Sequence, residues 1–274
     1  MSDTIPNLGG ASRIYAVFGD PVAQVQTPTL INPMFAAKGV DLYAVPFHVT
    51  RENFEAAWRV FAAMDNVAGI GVTVPHKIAA ARLCDELTPA AAAVGAVNSI
   101  QRRGDGSMHG ALFDGLGFVR GLAGNRGRLA GASVLLVGAG GAGRAIAHAL
   151  AGERIGRLSV IDVDESAVEF TIGMVNRVLE EPVAQRASGG LAGIDVLINA
   201  TPIGLKSTDA FPVDLDGVGP HMLVADIAAL ARDTELLKLA RQRGAATSDG
   251  RDMLEAQIAL IAGFAAGCEA GTPL

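Results

Sequence analysis

The chain has 274 residues, half of them hydrophobic and only 18% charged, with 22 Lys and Arg against 28 Asp and Glu for a net charge of −6. At roughly 150 residues per domain this length points to about two domains, and so apolar a composition excludes disorder of the whole chain. An acidic balance without a Lys/Arg run excludes a general nucleic-acid binder, which needs a basic face.

The mean hydropathy of +0.35 does not come from a spanning segment. The longest apolar run, 258–268, has 11 residues, and a bilayer requires about 20. The opening MSDTIPNLGGASR has neither the basic nor the apolar region of a secretory leader. Cys84 and Cys268 supply no disulfide framework and no metal spacing. They are expected to be packing residues of a cytoplasmic protein that contacts no membrane. The 34 glycines, 12% of the chain, exceed the usual level of about 7% and have no collagen period. Their positions therefore carry the information.

In chain order, residues 14–18 read as a strand ending in Gly-Asp-Pro, 29–38 as a helix ended by Gly39, and 41–45 as a second strand. Residues 52–64 form an amphipathic helix with Trp58 on its apolar face, and 67–74 a third strand. This is the β-α-β-α-β pattern of a mostly parallel sheet. Residues 114–122 read as a linking helix. A second series follows: strand 134–137, helix 142–150, strand 158–161, helix 164–179, then buried strands at 196–199 and 223–226. Residues 253–270 have the length and period of a final helix. The expected fold is α/β, with an N-terminal mostly parallel domain over 1–113 and a Rossmann-type dinucleotide domain over 114–249. Two such domains predict a ligand cleft.

The strongest local motif is VLLVGAGGAGR at 134–144. Gly138, Gly140 and Gly143 follow a strand and open a helix. Glycine there permits a tight turn, close approach to a pyrophosphate, and tight helix–strand packing. Gly141 and Ala142 lie in the first helical turn, where free N–H groups meet the anion. Asp162 ends the next strand, 24 residues after Gly138, near the spacing expected of a ribose ligand. A carboxylate accepts from a ribose 2′-OH and repels a 2′-phosphate. The run Asp162-Val163-Asp164 offers no Arg for such a phosphate, so NAD is favoured over NADP.

Further motifs stand in order: YAVFGDPVAQVQTPTL (15–30), GVTVPHK (71–77), VGAVNSI (94–100), FDGLGF (113–118), INAT (198–201) and DGRDMLEAQ (249–257). Together with the glycine turn they make nearly the full chain resemble the shikimate/quinate dehydrogenase family. The resemblance implies an N-terminal substrate domain and a cofactor domain, with a C-terminal helix over 250–274 returning to the first. It implies reversible hydride transfer between NAD or NADP and a ring hydroxyl of shikimate, quinate or a related cyclic polyol acid. By the same resemblance Lys77 and Asp114 form the catalytic pair. Thr27, Thr73, Asn98 and Gln257 contact substrate, and Thr201, Ile227 and Gly250 join the glycine turn and Asp162 on the cofactor. The chemistry suits the pair, because oxidising an alcohol requires that the hydroxyl proton be held and exchanged as hydride departs.

Departures from the family pattern all remove polarity. Its usual Ser-x-Ser before the first-motif proline is Val25-Gln26-Thr27 here. The usual Asn before VTVP is Gly71, the usual Asn-Thr before the catalytic Asp is Leu112-Phe113, and a common Tyr is replaced near Ala228-Ala229. An unmatched buried polar group costs about 1–3 kcal/mol, so such changes shift substrate preference more than reaction class.

His76 adjoins Lys77, and in a strand-to-helix turn its side chain is expected to point away. His48, His109, His148 and His221 show no HxxxH or HExxH spacing, so no metal is expected. No GxSxG is present, against a nucleophile-elbow hydrolase. The expected partner is a small cyclic hydroxy acid, and the protein a monomer or homodimer. Two rivals share the architecture: a catalytically weak dinucleotide-binding regulatory paralogue, and a dehydrogenase acting on a folate one-carbon unit.

Overall fold

The computed structural model describes residues 8–179, 181–187, 189–204, 213–228 and 233–274. The chain divides into two units. One comprises Met1–Ala92, Ala96–Ala111 and Ile258–Leu274, the other Ala93–Gly95 and Leu112–Gln257.

In the first unit β1 (Arg13–Gly19) pairs in parallel with β2 (Leu42–His48) and β3 (Val67–Val72), and α1 (Thr27–Ala37) and α2 (Phe54–Ala62) make the crossovers. Every residue of β3 is buried, as a central strand covered on both faces requires. Phe18 centres an aromatic cluster, with Phe47, Phe54 and Phe61 edge-on at 6.1, 6.4 and 5.0 Å. Trp58 is buried in the same unit, as its place on the apolar helix face predicts. The chain continues through α3 (Lys77–Ala81), β4 (Glu86–Leu87) and α4 (Pro89–Val94) to a hairpin of β5 (Ser99–Arg102) and β6 (Met108–Ala111). The sheet order is β2-β1-β3-β5-β6-β4, and β5 runs antiparallel to both its neighbours. Sequence reading ends this sheet at β3. The hairpin strands have only four residues each, too few to show a period. Their turn is nonetheless specified locally: Gly106 has φ +87°, and Asp105 accepts from the Ser107 N–H at 2.9 Å.

The second unit runs α5 (Asp114–Gly121), a 3-10 stretch at Ala123–Leu129, β7 (Ser133–Val137), α6 (Gly141–Ala151), β8 (Arg157–Ile161) and α7 (Glu165–Arg177). It continues through β9 (Ala184–Arg186), β10 (Val196–Asn199), β11 (Leu223–Asp226), α8 (Glu235–Gln242) and β12 (Ala246–Asp249) into the first half of α9 (Gly250–Ala265), whose residues from Ile258 on belong to the first unit. All strand pairs are parallel, in the order β12-β11-β10-β7-β8-β9. This is the doubly wound dinucleotide order, whose direction reverses between β7 and β10, where ligands bind at the strands' C-terminal ends. Leu135, Val137, Leu197, Val224 and Leu237 centre the core on one face. Among the described residues no helix is long and apolar enough to cross a membrane.

Two local devices fix what this unit presents. The glycines of α5 admit close neighbours on two sides. A Cβ on Gly115 would lie 2.2 Å from the Ala145 carbonyl oxygen of α6. One on Gly117 would lie 2.8 Å from the Met253 carbonyl oxygen, and one on Gly121 2.6 Å from the Asp252 carbonyl carbon, both in α9. The second device ties the ends of β10 and β11. The buried Asp226 carboxylate accepts from Asn199 Nδ2 at 2.9 Å, Ala228 N–H at 3.1 Å and the Thr234 hydroxyl at 2.6 Å. Burial raises its pKa above the ordinary 3.8, opposed by these three donors.

Gly115→Ala should destabilise the protein by about 1–3 kcal/mol in denaturant unfolding, because backbone rather than a flexible side chain must yield. Asp226 gives a pH signature. Its native pKa is raised, so between 3.8 and that native value folding takes up a proton. Wild-type stability should therefore rise, relative to Asp226→Asn, as pH falls through that window. A difference that stays flat with pH would contradict this.

Candidate functional site

In the first unit the C-terminal end of β3 gathers three of the expected residues. Thr73 follows β3 directly, and its N–H donates to the Phe18 carbonyl at 3.0 Å. The chain then turns tightly, with the His76 N–H on the Thr73 carbonyl at 2.8 Å, and Lys77 opens α3. The Lys77 carbonyl accepts from the Val97 N–H at 3.0 Å, and the Asn98 carbonyl from the Val72 N–H at 3.0 Å. Thr73, Lys77 and Asn98 are thus held on one backbone framework. Thr73 and Lys77 are half-buried, and Asn98 is buried. Thr27 opens α1 and is half-buried, as is Val25 in the loop before it.

His76 serves packing. It is 1% exposed, its ring stacks on Phe54 at 4.5 Å, and its Nε2 lies 2.7 Å from the Val49 carbonyl. Burial lowers its pKa. Gly71 also has a packing reason. A Cβ there would lie 3.0 Å from Tyr15 Cε1 and 3.1 Å from its hydroxyl, which sits 2.6 Å from the Ser99 hydroxyl. The fully buried Tyr15 ring occupies the space a larger residue at 71 would claim. Cys84 and Cys268 are half-buried free thiols, and burial pushes Cys84 up to about 12.

The second unit carries the other expected residues. Asp114 is the first residue of α5 and is buried, as are Leu112 and Phe113 before it. Gln257 is buried on α9, where it packs on α5 beside Gly117. The position of Ala229 lies outside the described residues.

The glycine turn fits a dinucleotide pyrophosphate. Gly138 has φ +103°, and its Cβ would lie 2.8 Å from the Ala200 carbonyl group. A Cβ on Gly143 would lie 2.0 Å from the Gly138 carbonyl oxygen. A Cβ on Gly140, in contrast, would meet nothing within 4 Å. Two glycines thus permit the fold, and the third leaves an open, exposed cradle before α6. Gly140 caps α6 without a side-chain bond, so the N–H groups of Gly141, Ala142 and Gly143 have no intrahelical acceptor.

Asp162 accepts from the Ala139 N–H at 2.6 Å through Oδ2 and from the Asp164 N–H at 2.9 Å through Oδ1. Each oxygen keeps a further lone pair. Asp164 caps α7, accepting from Ser166 and Ala167, and Val163 between them is fully exposed. Thr201 donates its hydroxyl proton to Asn199 Oδ1 at 2.7 Å and accepts from the Ile203 N–H at 3.1 Å. The Ile227 N–H donates to the Asn199 carbonyl at 3.1 Å. Gly250 is buried at the start of α9, next after β12. The glycine turn, Thr201, Ile227 and Gly250 therefore share the C-terminal edge of one sheet.

Sequence reading passed over three residues of this edge. Asn199 and Asp226 end otherwise apolar strands, which is itself a signal. Arg144 directly follows the third glycine; its Nε donates to the Ala139 carbonyl at 2.9 Å. Among the described residues no group of three His, Cys, Asp or Glu side chains could hold a metal ion.

The family description "Shikimate dehydrogenase substrate binding domain" matches residues 17–100. The shikimate dehydrogenase (NADP(+)) of Symbiobacterium thermophilum is 34% identical over 254 residues, covering 89% of this chain and 86% of its own. The crystal structure of shikimate dehydrogenase from Aquifex aeolicus superposes with a TM-score of 0.85 at 28% identity, covering 96% of this chain and 95% of that one. Quinate dehydrogenase from Corynebacterium glutamicum in complex with NAD gives a TM-score of 0.80 at 27% identity, covering 94% and 95%. With a third of its residues shared over nearly its whole length, this chain belongs to the shikimate dehydrogenase family.

Proposed function

We propose that the protein catalyses reversible hydride transfer between a ring hydroxyl of shikimate, quinate or a related cyclic polyol acid and a nicotinamide dinucleotide. The observation that carries the reading is the glycine turn, open at Gly140 and closed at Gly138 and Gly143, in a chain of this family. When bound, the nicotinamide supplies the hydride acceptor. The chain's own groups handle the proton. Lys77 and Asp114 hold the substrate hydroxyl and exchange its proton as the carbon is oxidised. Thr27, Thr73, Asn98 and Gln257 orient the ring through hydrogen bonds. Val25, Gly71, Leu112 and Phe113 offer the substrate no polar side chain, so selectivity falls on fewer contacts than in the usual pattern of the family. Retention of both Lys77 and Asp114 favours an enzyme over a regulatory paralogue.

The cofactor assignment is NAD before NADP. Asp162 brings a carboxylate to the turn, with lone pairs left for ribose hydroxyls. The two free thiols suit a reducing compartment, the cytoplasm, and the enzyme acts as a monomer or homodimer.

Reduced-nicotinamide absorbance with shikimate, quinate and related acids tests the reaction. On the best substrate, Lys77→Ala should lower kcat at least about 100-fold while the melting temperature holds. Full turnover by that variant would remove Lys77 from the mechanism. Asp162→Asn should raise kcat/KM for NADP relative to NAD by about tenfold or more. An unchanged ratio would mean that Asp162 does not read the ribose.

A further inference from the structure

The edge of the second unit carries a cation that the reaction above does not use. Arg144 lies in the first turns of α6, half-buried. Its Nε–H donates to the Ala139 carbonyl at 2.9 Å, and its guanidinium carbon lies 4.4 Å from the Phe170 ring centroid. One hydrogen bond and one aromatic contact pin the plane of the fork. Among the described residues its Nη groups make no hydrogen bond or ion pair. A guanidinium has five N–H donors, so four remain available.

The counterpart is Asp162. Its Oδ2 accepts from the N–H of the same residue, Ala139, at 2.6 Å. Ala139 is fully buried, so anion and cation are fastened to the two sides of one residue of the turn. Asp162 and Asp164 both act on Arg144 through space, favouring its charged form against burial. Asp164 is engaged as the α7 cap, which leaves Asp162 as the carboxylate on the turn itself.

We infer that Arg144 is a specificity-determining residue that takes the 2′-phosphate of NADP, so that the choice between NAD and NADP is set by Asp162 and Arg144 together. The inference rests on the dinucleotide reading proposed above. With Asp162 ionised, the guanidinium charge is offset in advance and a phosphate meets a carboxylate. A ribose 2′-OH donates to that carboxylate instead. Neutralising Asp162 while keeping its acceptor on Ala139 leaves Arg144 as the net charge at the turn. Its Nη pair, unbonded among the described residues, has the forked geometry that matches phosphate oxygens. The Asp162-Val163-Asp164 run lacks an arginine, but the fold supplies one from the preceding helix.

The test is a cycle of four full-length proteins, wild type, Asp162→Asn, Arg144→Gln and the double variant, titrated with NAD and with NADP by calorimetry. Asp162→Asn should raise NADP affinity relative to NAD by about tenfold or more. In the Arg144→Gln background the same change should give less than about threefold. NAD affinity should differ by less than about threefold between wild type and Arg144→Gln, a split that a merely structural role would not produce. Equal gains in both backgrounds would overturn the role of Arg144 and leave that of Asp162 standing. No gain in either would overturn both, and failure of both nucleotides to bind wild type would remove the dinucleotide reading itself. If Arg144→Gln melts early, Arg144→Met keeps the contact with Phe170 without the charge and carries the same expectations.

Discussion

The second unit is organised by a contact between two pieces of backbone at the end of β7. α6 comes so near the turn that a methyl group on Gly143 would lie 2.0 Å from the Gly138 carbonyl oxygen. Only glycine at both positions lets the strand reverse and the helix start at once. The turn is then tied from outside by Asp162 on the Ala139 N–H, while the Ala139 carbonyl orients the Arg144 side chain. The first-turn N–H groups are therefore presented at a fixed place, where no loop ordering is needed before they can donate to an anion.

The same economy of side chains extends to α5. Gly115 faces α6, and Gly117 and Gly121 face α9. Asp114 stands at the head of a helix that is gripped by the dinucleotide helix on one side and by the Gln257 helix on the other. Asp114, Gln257 and the glycine turn are thereby fixed to one another through helix packing rather than loop conformation. The buried Asn199–Asp226–Thr234 network does the corresponding task at β10 and β11 with hydrogen bonds. It holds the strand ends from which Thr201 and Ile227 project.

Legibility followed the length scale of each signal. Strands that are apolar up to one terminal polar residue, such as 196–199 and 223–226, were readable to the residue, because burial on both faces leaves no other pattern. The β5–β6 hairpin was not, since four-residue strands carry no period and their order in the sheet depends on pairing with β3. Lys77 and Asp114 stand out in the sequence only through the motifs GVTVPHK and FDGLGF. His76, one residue from Lys77, is expected from the strand-to-helix turn to point away, and its stack on Phe54 assigns it to packing. Gly71 looked like a lost contact, and the structure adds a reason for its size in the Tyr15 ring beside it.

The sequence by itself determined the family, the longer elements of both units and the glycine positions. These depend on residue types at fixed short spacings, where a turn needs a missing Cβ and a strand needs unbroken apolarity. Tertiary structure decided which polar groups are neighbours. Arg144 and Asp162 are 18 residues apart in the chain, yet both bond Ala139. Asn199 and Asp226 meet across two strands although 27 residues separate them. Such meetings follow from sheet order and register, which place the ends of parallel strands side by side whatever sequence lies between. No local spacing records that, so these neighbours emerged only from the fold.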